Sequence, residues 1–288
     1  MKIIKWLLVA CLPIVVACEK PYVGEDVEPE ASVPPNVIIR VNGFEQIPFD
    51  TRASVNITEV CSRINFVVYE GETKVKSIAQ KAGDSDYGTL AVALPEGEYT
   101  FAIVAHNTDG TATVTSLDKI SFKNNVIYDT FSYCEDLQVG DTPIVKDIEL
   151  RRVVAKFRLE LLDEQLPAEV TQFKFYYTGG SSTLSALTGY GSVNSRQTVK
   201  MEVARNQHEF EVYTFPKAET GALKMTITAL DAAENSIKEM VLENVPVQRN
   251  MITVYTGTFF DGQSAQSNQA SFTMTADTAW TETSHYTF

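Results

Sequence analysis

The chain has 288 residues, 44% of them hydrophobic and 21% charged, and its formal net charge is −13. This length allows two ordinary domains or one large β-sandwich. The acidic balance argues against a nucleic-acid partner, because it repels phosphate backbones and the one basic pair is Arg151-Arg152.

A lipoprotein signal peptide is predicted for residues 1–17. Lys2 and Lys5 precede an apolar run that ends at Ala17, immediately before Cys18. A small residue before a cysteine is typical of a signal cut between Ala17 and Cys18, after which Cys18 carries the lipid. An ordinary signal peptide or a short membrane anchor is the alternative, but a span needs about 20 apolar residues and this run is shorter.

An acidic, proline-rich tether is predicted for residues 18–35. An extended segment of this kind reaches roughly 50 Å at about 3.1 Å per residue, enough to hold a globular body away from a membrane. Loss of the signal peptide removes two lysines and no acid, which changes the formal charge from −13 to −15.

The body after the tether has a β pattern, with no long segment of helical period. Short runs of β-branched and aromatic residues, bounded by turn formers, predict strands. In the first half these runs are residues 37–41, 63–69, 90–94, 99–105 and 144–150, with a hairpin turn at 95–98 joining the third run to the fourth.

The second half repeats this alternation, in runs at residues 153–161, 173–177, 199–203, 210–213, 223–230 and 251–255. Strands at this spacing favour antiparallel sandwiches over a parallel sheet crossed by helices. The predicted fold is therefore all-β, with two antiparallel β-sandwich domains in tandem at residues 36–150 and 151–288.

Two cysteines belong to the body, because Cys11 lies in the signal peptide and Cys18 carries lipid. Cys61 and Cys134 could form a disulfide in an exported protein, and closing that loop of about 70 residues would contribute about 4 kcal/mol. Two buried free thiols are the alternative.

Signatures of catalysis or metal binding are lacking in the sequence. His106, His208 and His285 have no metal-ligand spacing, and there is no phosphate-binding glycine loop and no nucleophile elbow. We therefore expect no enzymatic activity, no cofactor and no metal.

Two glycine-containing segments have alternative interpretations. Residues 84–88, with Asp84 and Asp86 before Gly88, resemble the start of a calcium loop, but a polar hairpin turn is favoured because a strand follows instead of further acidic ligands. Residues 178–192 are rich in glycine and serine, which predicts a long exposed loop.

Four segments together resemble a known family: residues 50–54 (Asp50-Thr51-Arg52-Ala53-Ser54), 94–101, 152–157 and 247–257. Their order, with the lipid signal and the acidic β body, is similar to the fimbrillin lipoproteins of type V pili from Bacteroidia-type bacteria. The resemblance implies two transthyretin-like domains and a structural role in adhesive surface fibres. It also implies an outer-membrane lipoprotein or fimbrial location, with other fimbrial subunits and a surface receptor as partners.

The resemblance further implies assembly by β-strand addition. Shaft subunits of the family are cut after an arginine, and a neighbour's terminal segment replaces the strand that is lost. The matching position is Arg52 before Ala53; a cut there would release Cys18 and a strand whose predicted buried face is Val37, Ile39 and Val41. Anchor subunits keep the lipid, and Arg52 could equally be a surface arginine in a loop.

A candidate donor strand lies near the C-terminus, where Phe272, Met274 and Ala276 alternate with polar residues. The same segment could be the last strand of its own domain.

The rival hypothesis is a surface lipoprotein that binds glycans for a carbohydrate-uptake system. Such proteins usually expose tryptophans as sugar platforms, and this body has only Trp280, although some of its tyrosines could serve.

Overall fold

The computed structural model describes residues 33–45, 57–108, 110–204, 206–260 and 282–287, and these are mostly strands. The first half contains β1 (Val37–Phe44), β2 (Arg63–Glu70), β3 (Thr73–Lys81), β4 (Thr89–Val92), β5 (Gly97–His106), β6 (Thr113–Ser116), β7 (Lys119–Ser121), β8 (Thr130–Val139) and β9 (Ile144–Arg152). The second half contains β10 (Ala155–Leu161), β11 (Gln172–Thr178), β12 (Thr183–Ser185), β13 (Tyr190–Gly191), β14 (Gln197–Glu202), β15 (Glu209–Thr214), β16 (Thr220–Leu230), β17 (Ser236–Gln248), β18 (Met251–Gly257) and β19 (Glu282–Thr287).

Helix is confined, in these ranges, to α1 (Ile57–Val60) and a 3₁₀ turn at Lys123–Asn125. Neither is long enough to cross a membrane. The predicted all-β class is confirmed, and the transthyretin-like description stays a prediction.

The first sandwich is one seven-stranded sheet folded over on itself, in the order β3-β2-β5-β8-β9-β1-β4. Its two leaves, β3-β2-β5-β8 and β9-β1-β4, are joined where Phe131 and Ser132 of β8 pair with Arg152 and Arg151 of β9. Both leaves contribute alternate apolar side chains to one core, here core 1. The alternation follows from the strand period of two residues.

The second sandwich packs the sheet β15-β10-β18-β19 against the sheet β14-β11-β16-β17. Its core, core 2, is rich in aromatic rings. The Phe173 ring lies 4.8 Å from that of Phe210 and 5.2 Å from that of Phe259, measured between centroids. Tilted and edge-on rings at these distances contribute about 0.5 to 1.5 kcal/mol per pair beyond area burial.

A third core, core 3, joins the two halves of the chain. It brings Val104, on the face of β5 that points away from core 1, together with Val254 of β18. Across it, the Phe122 ring stacks on that of Phe215 at 6.1 Å. A small sheet, β13-β12-β7-β6, takes two strands from each half, and residues Pro35–Phe288 form one compact unit.

The predicted division at residue 150 falls inside β9, where Leu150 is fully buried in core 1. The structure therefore has no linker at this point, and the assignment of 36–150 and 151–288 as separate domains stays a prediction.

Three strand pairs correct the expectation of antiparallel sheets throughout. The pairs β1 with β9, β10 with β18, and β18 with β19 are parallel. Parallel neighbours need a crossover of a dozen or more residues. The chain supplies long connections in each case, so local alternation could not reveal the direction of pairing.

The predicted hairpin at residues 95–98 is wrong. Strand β4 pairs with β1 in one leaf, whereas β5 pairs with β2 and β8 in the other. The connection therefore crosses between leaves, and Leu94 is buried in core 1 on the way. Pro95 and Gly97 were correct signals of a change of direction, but a turn sequence does not specify which strands it separates.

A buried histidine lies at the edge of core 3. His106 is completely buried, and its Nε2–H donates to Asn65 Oδ1 at 3.0 Å, an oxygen that also accepts from the Ala112 N–H at 3.1 Å. The other ring nitrogen, Nδ1, has no partner among the described residues. Burial, together with a smaller effect of the charge of Arg63, lowers the pKa of His106 to about 4.

We expect this histidine to make the fold acid-sensitive. The unfolded chain binds a proton with a pKa near 6.5, whereas the folded chain resists protonation until about pH 4. The free energy of unfolding should therefore fall by up to about 3 kcal/mol between these pH values and be unaffected by His106 above them. Urea unfolding at several pH values would measure this.

The matched variant is His106→Gln, which cannot titrate in this range. Its pH profile should lack the His106 contribution, whatever its stability at pH 7. Identical slopes for both proteins between pH 6.5 and 4 would contradict the prediction.

Candidate strand-exchange site

The first strand lies between two others of its own leaf. Val37 to Arg40 pair antiparallel with β4, and the opposite edge of β1 pairs in parallel with β9 along most of its length. Every strand has two hydrogen-bonding edges, and here both are used. Strand β1 is thus an insert, and its withdrawal would leave two unpaired edges facing one gap.

One side of this strand is buried in core 1. Val37 and Ile39 have no exposed surface and Val41 is nearly as buried, whereas Ile38 is half-buried and Arg40 exposed. Each fully buried side chain of this kind contributes about 1.5 to 3 kcal/mol. These are the residues of the candidate displaced strand; their burial is observed, and their displacement stays a prediction.

The strand is fixed at its start by one asparagine. Asn36 Nδ2 donates to the carbonyl of Leu94 at 2.8 Å, and the Leu94 N–H donates to Asn36 Oδ1 at 2.9 Å. The backbone of Asn36 also bonds to Val92 and to Ile144 on the two flanking strands. This set of bonds determines the register of β1 on both sides.

The end of the strand is fixed by a ring and an ion pair. The Phe44 ring lies 4.4 Å from that of Phe131, and Arg151 Nε donates to both carboxylate oxygens of Glu45 at 2.7 Å. Residues 46–56 follow, and they contain the predicted cleavage position, Arg52 and Ala53, which lies outside the described residues. Ala17 and Cys18 lie outside them as well.

The last strand of the described residues is β19. Strand β19 pairs in parallel with β18, and the Tyr286 ring stacks on that of Tyr255 at 4.7 Å and 22°. Burial raises the pKa of Tyr255 to about 12, with Tyr286 contributing. Residues 282–287 therefore belong to the sheet β15-β10-β18-β19 of this chain. The candidate donor residues Phe272, Met274 and Ala276 are outside the described ranges, and the choice between donor and internal strand stays open for them.

A buried carboxylate marks the point where the chain leaves β18. Asp163 is 3% exposed and accepts the N–H groups of Phe259 and Phe260, each at 2.7 Å. Charge-assisted bonds of this kind are about twice as strong as neutral ones. The role of Asp163 has no local signal in the sequence, because nothing nearby distinguishes it from its exposed neighbour Glu164.

The two cysteines of the body are free thiols, so the disulfide alternative is corrected. Cys61 is buried in core 1, whereas Cys134 packs against core 3, on the other face of the leaf. Thiols on opposite faces of a sheet cannot meet without backbone movement. Burial raises the pKa of both thiols, to about 11 for Cys134.

The turn at residues 84–88 joins β3 to β4, which are not sheet neighbours, so it is not a hairpin. Asp84 accepts the Lys81 N–H at 2.8 Å, and Gln80 Oε1 accepts the Gly88 N–H at 3.0 Å. The described residues contain no group of three or more histidine, cysteine or acidic side chains that could hold a metal.

The segment 178–192 is not the exposed loop that its composition predicts. Residues 181–186 are buried, and β12 pairs with β7 of the first half. Its glycines allow close approach: a Cβ on Gly180 would overlap the Thr214 side chain, and one on Gly191 would overlap Ser181. Glycine serves dense packing as well as exposed loops, so composition alone misled the prediction.

The fold and the site define a class: an all-β protein of two joined sandwiches whose first strand is inserted between two strands of its own leaf. The chain belongs to the family DUF6562, described as a family of unknown function, whose model matches residues 36–285. No curated protein matches the chain.

Among solved structures, the chain is similar to a candidate adhesin from Bacteroides ovatus, with a TM-score of 0.46 and 14% identity over 73% of this chain and 83% of that one. A candidate polysaccharide-binding protein from Bacteroides thetaiotaomicron has a TM-score of 0.46, 12% identity and coverages of 71% and 79%. The fimbrial anchor protein Mfa2 from Porphyromonas gingivalis has a TM-score of 0.41, 9% identity and coverages of 72% and 82%. At these values the roles of the neighbours do not transfer to this chain.

Proposed function

We propose that this protein is a structural, non-catalytic subunit of a cell-surface fimbria, assembled by β-strand addition between subunits and serving adhesion. The observation that carries the proposal is the position of β1 between β4 and β9. The strand is paired along both edges and buries Val37 and Ile39 in core 1. The gap that β1 would leave can accept a replacement strand, because the flanking strands supply the hydrogen bonds and the core supplies the apolar contacts.

The order of the chain around this strand supports the same proposal. The tether and the predicted lipidation site at Cys18 precede β1, and Arg52 follows it. A single cut after Arg52 would therefore separate membrane anchor and strand from the body in one step. Whether the protein is a shaft, tip or anchor subunit depends on whether that cut occurs.

Strand exchange can be tested by placing a specific protease site between Arg52 and Ala53 in the full chain. After the cut, β1 is held by non-covalent contacts alone, and we expect it to exchange with an excess of fluorescent peptide of sequence 36–45. Uncut protein should take up no peptide, because the covalent strand has an effective concentration that the peptide cannot match.

The control peptide carries aspartate in place of Val37, Ile39 and Val41, which keeps the backbone donors and acceptors but cannot enter core 1. Gel filtration with fluorescence detection would measure the uptake of both peptides. Equal uptake of the two peptides, or no uptake by cut protein, would be incompatible with strand addition at this site.

The alternative of a glycan-binding uptake lipoprotein requires an exposed aromatic platform, which some of the tyrosines or Trp280 could supply; Trp280 lies outside the described residues. A monomer that binds polysaccharides through such a platform and never forms boil-sensitive polymers would favour it.

A further inference from the structure

The space that β1 fills between β4 and β9, here the β1 gap, is not specific for one strand through its backbone and core contacts alone. Both flanking edges offer donors and acceptors that any strand can use. Core 1 requires alternate apolar side chains, which excludes a shift of one residue, because that shift would turn the polar face inward. A shift of two residues, or another strand with the same alternation, still satisfies both requirements.

The start of the β1 gap adds a contact that is specific. Leu94 is 5% exposed, and both of its backbone groups bond to the side chain of Asn36. Asn36 Nδ2 donates to the Leu94 carbonyl at 2.8 Å, and Oδ1 accepts the Leu94 N–H at 2.9 Å. Buried backbone groups are nearly always paired. A strand that replaces β1 must therefore supply one donor and one acceptor at this point, or leave both Leu94 groups without these partners.

Asparagine is the residue type that meets this requirement. Its amide carries a donor and an acceptor side by side, whereas an aspartate carboxylate only accepts and a serine offers a single hydroxyl. The preceding backbone supplies no donor, because Pro34 and Pro35 have no N–H. The first residue of the strand is thus a position where side-chain chemistry distinguishes one incoming strand from another.

The other end of the β1 gap presents a ring and a charge. The Phe131 ring lies 4.4 Å from that of Phe44, and Arg151 Nε donates to both oxygens of Glu45 at 2.7 Å. The Arg151 side chain is 60% exposed, and exposed ion pairs contribute little and are screened by salt. This end therefore favours an aromatic residue followed by an acid, with less selectivity than the Leu94 end.

Only one segment of the chain combines these features, and it is β1 itself. An asparagine with apolar residues at the first, third and fifth positions after it occurs at residues 36–41 and nowhere else in the sequence. The candidate donor can be aligned with Phe272 in the place of Val37. Position 36 is then taken by Ser271 and position 45 by Trp280. The candidate donor therefore has the alternation but neither the amide nor the acid.

We propose that the β1 gap selects a strand from a different subunit, one that begins with an asparagine directly before three alternate apolar residues and ends with an aromatic residue and an acid. This selection operates only if strand addition, as proposed above, takes place. The asparagine provides most of the selectivity, since it serves buried backbone groups. A segment without it, such as residues 271–280, enters weakly although its apolar residues alternate.

Competition between peptides tests the selection on the full chain, cut at the protease site inserted after Arg52. Fluorescent peptide 36–45 is bound first, and unlabelled peptides then displace it. The peptide carrying Asn36→Ala should need a roughly tenfold higher concentration than the native peptide, because both Leu94 groups lose their partners. Glu45→Gln should weaken displacement several-fold at low ionic strength and have little effect at high salt.

The matched control is Asn42→Ala in the same peptide. Asn42 is exposed and lies where the pairing of β1 with β9 is interrupted, between Val41 and Gly43. The same change of side chain should therefore leave displacement within about twofold of the native value.

A gain of binding is expected in the peptide of sequence 271–280, which should displace the label at least roughly tenfold more weakly than the native peptide. Ser271→Asn should strengthen it several-fold by restoring the two bonds to Leu94. Thr275→Asn, which adds the same amide at the exposed position of Arg40, should not.

The outcomes separate this selection from strand addition itself. Equal losses in the Asn36 and Asn42 peptides, or a 271–280 peptide as effective as the native one, would overturn the selection and leave strand addition intact. No uptake of the native peptide by cut protein would overturn strand addition, and the selection with it.

Discussion

Replacing Ile39 by alanine should lower the free energy of unfolding by about 2 to 5 kcal/mol, the usual range for a fully buried isoleucine. Ile39 has no exposed surface and belongs to core 1, so its truncation would leave a cavity there. Thermal or urea unfolding of the uncut chain would measure the loss.

The control is Ile38, which lies in the same strand. Ile38 is the same residue type with the same backbone pairing, but it points to the opposite face and is half-buried. Ile38→Ala should therefore cost about 1 kcal/mol or less. Equal losses at the two positions would show that core 1 does not hold β1 in place.

The variants Ile39→Ala and Ile38→Ala also test strand exchange. If strand addition operates, weaker anchoring by Ile39→Ala should speed release of β1 after a cut at Arg52, whereas Ile38→Ala should have a small effect. Strand exchange would then be controlled by the side of β1 that faces core 1, because a ladder of backbone hydrogen bonds is common to both variants.

The second large effect is expected at Gly179, which Gly179→Ala should destabilise by about 2 to 4 kcal/mol. The residue has φ +99°, where an L side chain is strained, and a Cβ would overlap the carbonyl oxygen of Ala222. Left-handed strain contributes about 1 kcal/mol and overpacking typically 1 to 3. Chemical unfolding of the variant would test this.

Gly140→Ala is the matched control, since Gly140 is exposed and a Cβ there would meet nothing within 4 Å. It should change stability by less than about 0.5 kcal/mol. Similar small values at both positions would contradict the close approach of Gly179 to the Ala222 carbonyl.

Several errors of sequence analysis share one cause. Strand β17 was missed because its apolar residues are diluted by charged ones, and it lies at the edge of a sheet, where only one face needs burial. The segment 178–192 was wrongly predicted because glycine and serine are common both in exposed loops and at close-packed positions. In both cases, local composition was compatible with two environments.

The features of the candidate site also differ in whether the local sequence could predict them. The apolar face of β1 was visible because Val37, Ile39 and Val41 alternate within one strand. The bonds that fix β1 at its two ends had no local signal, since Asn36 bonds to Leu94 and Glu45 to Arg151. The role of Asp163 had no local signal for the same reason.

The sequence by itself determined the all-β class, the position of most strands and the buried face of β1, because strand alternation is a property of neighbouring residues. The tertiary structure alone decided the parallel pairs, the place of β1 between β4 and β9, and the shared core 3. These depend on contacts between residues tens of positions apart, and a strand presents the same two hydrogen-bonding edges whichever partner it meets.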